Sequence, residues 1–386
     1  MIIRNGTVYD AVNEKPYVAD IVIRDGKIAA IGDKFAAEDG ERVIDAAGMR
    51  VYPGLVEAHC HVGLHVYGLP GADCDVNERN DITSAHLRAI DGFNPFDPGL
   101  RKALEAGITT IGTGPGSASV VGGTFMAVKT RGTCVDDMLV KNNVAMKCAL
   151  GENPKNCYGG KCDSTRMSTA AKLRELLFAA KEYSDECLDA IANAPEGEKP
   201  KMPKYNMKLA AMRPVMEGEI PLKIHAHRAD DICTAIRIAK EFGVKLTIEH
   251  CTEGHLIVNE LVRAGVPVAV GPSMTNASKI ELANKSFETP GILAKAGVQV
   301  SIITDAPVIV QEYLPLCAGL AVKAGMEPFA ALQAITINPA KHLGIEDRVG
   351  SIEVGKDADL VIADGDIMVS ATKVKMVIMD GEIAAE

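Results

Sequence analysis

The stretch "PGLVEAHCHVGLH", residues 53–65, decides how the rest of the chain is read. An apolar run and a Pro-Gly turn lead straight into His59 and His61, two residues apart. A strand repeats its side-chain direction every second residue, so the two imidazoles share one face and Cys60 takes the other. Two imidazoles converging at the end of a buried strand suggest a metal site. The same spacing also arises by chance, so the neighbouring segments have to decide.

Seven further stretches resemble it in being short, apolar and rich in β-branched residues: "GITTIGT" (107–113), "TFMAVKT" (124–130), "NVAMKCALG" (143–151), "PLKIHAHR" (221–228), "VKLTIEHC" (244–251), "VPVAVGPS" (266–273) and "VQVSIITD" (298–305). Helical patterns such as "DDICTAIRIAKEFG" and "GHLIVNELVRAG" separate the later ones. Eight strands alternating with helices predict an α/β fold with a (β/α)8 TIM-like barrel over residues 51–347. No glycine fingerprint for a dinucleotide follows the first strand, which argues against an open doubly wound sheet.

The two ends share another pattern. "ADIVIRDGKIAAIG" (19–32) and "VKMVIMDGEIAAE" (374–386) each read as paired strands around an Asp-Gly turn. A two-stranded hairpin is not stable alone, so residues 1–50 and 348–386 are expected to assemble one small β-sandwich domain. Two excursions interrupt the barrel. Residues 62–104 form a long loop after the first strand, and residues 151–220 hold one helix (168–188) and a polar linker at 194–204; such loops commonly shape a substrate pocket.

Composition narrows the function classes. The chain of 386 residues has 41 basic and 51 acidic residues, a net charge of −10 without a charged tail, and no Trp. This argues against nucleic acid as the main partner. The opening "MIIRNGTVYD" has no signal-peptide pattern, and no apolar run approaches a membrane span, so a cytoplasmic protein that avoids membranes is expected. The ten cysteines never form C-x-x-C and read as reduced, mostly buried thiols.

Within this frame the histidines fall into place. His59 and His61 end strand 1, His225 and His227 end strand 5, His250 ends strand 6 and Asp305 ends strand 8. These are the strand ends where barrel enzymes carry their chemistry. Five of nine histidines at one level, with a carboxylate, form the ligand set of Zn²⁺ or a similar transition metal.

"NGTVYD", "VIDAAGMRVYPGLVEAHCH", "IHAHRADD", "TIEHCTEG", "ITDAP" and "TINPAKHLGIEDRVGSIEVGKDADLV" occur in an order that resembles the amidohydrolase superfamily, in its imidazolonepropionase-like, cyclic-imide and peptidase-type branch. The resemblance implies that His59, His61, His225, His250 and Asp305 bind one or two divalent ions, most simply Zn²⁺, with Asp305 also moving a proton. It implies that Lys147, at the end of strand 4, is a carbamate bridging two ions. The other reading of Lys147 is a lysine that reaches the barrel mouth or pairs with Glu152, whose carboxylate is itself a candidate ligand. The sequence departs from these relatives at Asp305-Ala306-Pro307, which lacks a histidine after the aspartate, and at "HAHR", where imidazolone hydrolases have His-Ala-Asp.

His227 shares a strand face with His225 and can hold the substrate or polarise its carbonyl. Arg228, and His86 and Arg88 from the first loop, are candidate substrate contacts; a guanidinium of Arg88, Arg166 or Arg228 in the pocket would favour a substrate bearing a carboxylate. Cys60, Cys148 and Cys251 read as small buried residues, and His255 and His342 as structural. The expected activity is hydrolysis of a C–N amide bond in a ring or a peptide-like linkage of a small molecule. A deaminase acting on an amidine-type ring carbon and a non-catalytic barrel binding protein are the rivals, and a homo-oligomer is left open.

Overall fold

The structure, a computed structural model, describes residues 1–68, 74–162 and 164–386, so residues 69–73 of the first excursion and 163 of the second lie outside the described residues. Strands β1 (Ile2–Val8), β2 (Tyr17–Arg24), β3 (Lys27–Gly32), β4 (Val43–Asp45) and β5 (Arg50–Pro53) open the chain. The barrel strands follow: β6 (Leu55–Cys60), β7 (Ile108–Thr113), β8 (Val121–Lys129), β9 (Leu139–Ala149), β10 (Leu222–Ala226), β11 (Leu246–His250), β12 (Val268–Val270) and β13 (Val300–Ile302). The chain closes with β14 (Leu360–Ala363), β15 (Val374–Met379) and β16 (Glu382–Ala385).

Both termini build one sheet in the order β16-β15-β14-β5-β1-β2-β3, with β4 beside β1. Its two hairpins turn at Asp25-Gly26 and Asp380-Gly381, where both residues of each pair have positive φ (50° and 74°, 50° and 77°). That conformation matches the twist of paired strands and suits Asp-Gly. The buried faces of β1, β2, β5, β14 and β15 form a core of their own, including Ile3, Ile21, Val51, Leu360 and Ile378.

The other sheet runs β6 to β13 in sequence order and nearly closes into a barrel. Its ends meet where His61 N donates to Ala306 O at 2.7 Å and where Thr304 donates its N–H and hydroxyl to Glu57 Oε2. Strict β/α alternation fails at one place. Strand β8 is antiparallel to both β7 and β9. The intervening segments, 114–120 and 130–138, are too short for a parallel crossover, which takes a dozen or more residues. The reversal puts the short turn 114–120 at the end of the barrel where β6 and β10 finish, since Gly123 pairs with Lys147 and Lys147 with Lys223.

The second excursion is more helical than the sequence suggested. Helices Glu152–Tyr158, Arg166–Ala192 and Met207–Met216 occupy it, and 194–204 has neither helix nor strand. Thr165 caps the long helix by accepting from Ser168 N, while Ser168 returns a bond to the Thr165 backbone. All ten cysteines are free. Among the described residues no helix is long and apolar enough to cross a membrane.

Candidate metal centre

The ends of β6, β10, β11 and β13 bring His59, His61, His225, His227, His250 and Asp305 together. Two groups have ligand atoms within 4.8 Å of one another: His225, His227 and His250, and His59, His250 and Asp305. His250 belongs to both, so the cage has two lobes joined at one imidazole. In the first lobe the ring centroids of His225 and His227 lie 4.3 and 4.7 Å from that of His250. In the second, Asp305 Oδ1 lies 3.3 Å from His61 Nε2 and 3.6 Å from His59 Nε2.

Four of the rings are anchored through Nδ1. His59 bonds Glu249 Oε2 at 2.8 Å, His61 the Gly114 carbonyl at 2.8 Å, His227 the Thr252 hydroxyl at 2.7 Å and His250 the Gly271 carbonyl at 2.9 Å. Such anchors fix ring orientation and leave Nε2 for an ion. Burial pushes His59, His225 and His227 well below the ordinary histidine range and His250 down to about 4, so these rings are neutral and their lone pairs free. Burial alone would raise the Asp305 carboxyl, but the imidazoles of His250, His61 and His59 hold it below the usual carboxylate range. Neutral imidazoles around an ionised carboxylate fit a divalent ion.

Backbone strain helps to aim two of these groups. His250 and Asp305 have φ of 73° and 53°, a region that side-chain-bearing residues seldom occupy. At β11 this breaks the in-out alternation, and two consecutive residues, Glu249 and His250, both serve the barrel interior. Glu249 is fully buried, and its Oε1 accepts from Thr247 and His342 while its Oε2 faces His59 and Lys223, each at 2.8 Å. Burial would raise its carboxyl, yet Lys223 and His342 hold it well below the usual range.

Lys147 Nζ lies 3.0 Å from His59 Nε2 with only 1% of the residue exposed. Burial lowers its amine to about 8 against the pull of Asp305 and Glu249. Glu152 is not part of the cage. It begins a helix, so its N–H reaches Glu281 Oε2 while its carboxylate turns to Asn156.

The proposed arginine contacts are engaged elsewhere. Arg88 forks onto Asp91 at 2.9 and 2.7 Å, Arg228 onto Asp230 at 2.9 and 2.9 Å, and Arg166 onto Asp231 at 3.0 and 3.1 Å. A nearby aspartate satisfies each guanidinium before it can reach the cage. His86 is half-buried, and among the described residues no hydrogen bond or ion pair joins it to the cage. Cys60, Cys148 and Cys251 pack in the apolar layers, where burial pushes the Cys148 thiol up to about 12 and Cys60 well above its usual value.

Three residues from outside the barrel strands complete the cage: Asn153 in the helix Glu152–Tyr158, and Lys279 and Glu281 at the single helical turn Ile280–Leu282. Glu281 Oε1 lies 3.7 Å from His225 Nε2 and 3.6 Å from His227 Nε2, and 2.6 Å from Lys279 Nζ. Although burial raises the Glu281 carboxyl, His227 and Lys279 bring it below its usual range. Asn153 accepts from Lys279 at 2.7 Å and stands 3.4 Å from His225 Nε2. No motif marked these residues. The only hint at Glu281 was an acidic residue a short way past the Gly-Pro that ends a buried strand.

A model described as "Amidohydrolase family" matches residues 50–384. A solved structure of an amidohydrolase from Thermotoga maritima MSB8 superposes with a TM-score of 0.94 at 39% identity, covering 100% of this chain and 99% of that one. Amidohydrolase tasK of Hapsidospora irregularis is 26% identical over 374 residues, 91% of this chain and 38% of that protein. A dihydroorotase of Elusimicrobium minutum (strain Pei191) is 25% identical over 414 residues, 94% of this chain and 88% of that protein. The chain thus spans about two fifths of the length of the tasK protein.

Proposed function

The chain belongs to the amidohydrolase family, and from that premise we propose that it is a hydrolase of carbon–nitrogen bonds that uses one or two Zn²⁺ ions to cleave an amide in a ring or a peptide-like linkage. The observation that carries this is the two-lobed cage, in which His250 is shared between an all-histidine lobe and a lobe closed by Asp305.

His59, His61, His225, His250 and Asp305 would hold the metal. Bound there, a divalent ion supplies Lewis acidity for a carbonyl oxygen and lowers the pKa of a water molecule. Asp305 then has the chain's own proton role: its carboxylate takes a proton from the attacking water and returns it to the leaving nitrogen. His227, held by Thr252, orients the substrate carbonyl through Nε2. Lys147 is the residue proposed as a carbamate. Its buried amine, lowered to about 8, supports this, because attack on carbon dioxide requires the neutral amine and releases one proton as the N–C bond forms. With the three arginines engaged, Lys279, held by Glu281 and Asn153 at the edge of the cage, is the cation we assign to a polar substrate end.

The test is metal content per chain after purification without chelators and with bicarbonate, followed by a panel of dipeptides and cyclic imides. Metal-dependent appearance of a new carboxylate, together with a new amine from a dipeptide or a new amide from a cyclic imide, supports the reading. Ammonia release from an amidine ring would assign deamination instead, and a chain that binds no divalent metal would overturn the proposal.

A further inference from the structure

A cavity of about 990 Å³ opens at the other end of the barrel. It lies where β10, β11 and β12 begin and where helices Ala229–Phe242, Val258–Ala264 and Ile337–Leu343 end. Six cations line it, Lys141, Arg237, Lys240, Lys245, Arg263 and Lys341, against two carboxylates, Glu219 and Glu260. This inverts the balance of a chain whose net charge is −10. Lys240, Arg263 and Lys341 stand in the last turns of their helices, where a cation complements the carbonyl ends. That accounts for three of the charges and leaves Lys141, Arg237 and Lys245. Among the described residues Lys240, Lys245 and Lys341 make no ion pair, and Arg263 reaches Glu260 only at 4.0 Å. Between the cations the wall is apolar, with Ile236, Leu246, Val266 and Pro267.

The floor of this cavity leads to the cage. Thr247 and His342 line it, and both bond Glu249 Oε1 at 2.8 Å. The second oxygen of that carboxylate holds His59 Nδ1 at 2.8 Å. A single buried carboxylate therefore touches the cavity floor on one side and a cage imidazole on the other.

We propose that the cavity is a regulatory site for a small amphiphilic anion, a phosphate or carboxylate on an apolar body, whose binding is felt at His59 through His342 and Glu249. The cations supply the anion's partners and the aliphatic wall receives the body, a composition and size typical of ligand pockets. Coupling between two sites is reciprocal, so the anion must alter metal affinity by the same factor as metal alters anion affinity. Only this coupling rests on the metal-dependent reading above; anion binding does not.

Phenyl phosphate is the probe, titrated by calorimetry into the full chain stripped of metal, with benzyl alcohol as the uncharged control. The proposal expects saturable binding, at least about tenfold weaker for benzyl alcohol and in Arg237→Glu and Lys245→Glu, rim variants whose folding is checked by circular dichroism. No saturation by about 10 mM, or binding indifferent to both charge reversals, overturns the site. A dimer in sedimentation that dissociates in Lys245→Glu overturns it in favour of a second copy covering this face. Zinc affinity is then measured with and without phenyl phosphate in the wild type and in His342→Leu. A shift present in the first and absent in the second supports the coupling; equal zinc affinities with and without phenyl phosphate in the wild type overturn it. A chain that binds phenyl phosphate at the rim but no zinc keeps the anion site and refutes the metal reading alone.

Discussion

Glu249 Oε2 and His59 Nδ1 lie 2.8 Å apart, with both side chains fully buried. The carboxylate fixes the ring so that Nε2 faces the cage, and it raises the basicity of that nitrogen towards an ion. Glu249→Gln keeps the shape and removes the charge. We expect metal affinity to fall by about 10–100-fold, read by competition with a chelator. Because the change also leaves Lys223 without its anion, Lys223→Met should accompany it to keep the fold. Unchanged affinity in the paired variant would show that the carboxylate is only structural.

Asp305 faces His59 and His61 at 3.6 and 3.3 Å from a strained backbone, so its oxygens are aimed with little freedom. Asparagine preserves the size and one ligating oxygen but cannot accept a proton. Asp305→Asn should lower kcat by about 10²–10⁴-fold with a much smaller loss of bound metal. Parallel loss of metal and activity would assign Asp305 to ligation alone.

Lys147 makes a sharper distinction. If its amine carries a carbamate, Lys147→Met should bind one ion fewer per chain, and wild-type protein reconstituted without bicarbonate should show the same deficit. Elemental analysis of the three preparations decides it. Full metal content in Lys147→Met would return Lys147 to a supporting role beside His59.

The sequence made much of this site legible because each cage histidine and Asp305 lies at or just past the end of an apolar strand, and a strand end has only two faces. All eight barrel strands were visible for the same reason. The direction of β8 was not drawn from the sequence, although the brevity of 114–120 and 130–138 already leaves no room for a crossover. Glu249 was hidden by its neighbour: alternation assigns 249 and 250 to opposite faces, and only the positive φ of His250 lets both serve the interior. Lys279 and Glu281 sit at a single helical turn (Ile280–Leu282), too short for any periodicity to report which side chains turn inward. The arginines misled for a local reason, since Asp91 and Asp230 stand within three residues of Arg88 and Arg228 and claim them first.

Glu281 provides a prediction that the strand ends could not. Its carboxylate is 1% exposed and lies within 3.7 Å of His225 and 3.6 Å of His227. Glu281→Gln should leave the Asp305 lobe able to load while weakening the His225 and His227 lobe. Metal titration should then show one of two binding steps shifted by about tenfold or more. A uniform shift of both steps, or none, contradicts a separate role for this lobe.

The last prediction concerns the joint between barrel and terminal sheet. Lys129, at the end of β8, is 4% exposed and meets Asp359 at 2.7 Å and Asp357 and Asp380 at 3.0 Å each. Lys129→Met strands Asp359, which among the described residues has no other cation in reach, while Asp357 retains Lys27 and Arg348. Removing one partner from a buried pair typically costs about 3–5 kcal/mol, and urea unfolding at about pH 7 should show a loss of that order. The sign of the pH dependence follows from the carboxylates. Burial would raise Asp357, but Lys129, Lys27 and Arg348 lower it to about 2, so its contribution is present above the ordinary carboxylate pKa and disappears as pH falls through about 2. Asp359 is raised by its burial despite Lys129, so it protonates earlier on acidification and no longer needs the cation. The difference between wild type and variant should therefore narrow on acidification, first as Asp359 takes up its proton and then further towards about pH 2 as Asp357 follows. A difference that stays constant across this range would mean that Lys129 stabilises the joint by packing its aliphatic stem and not by its charge.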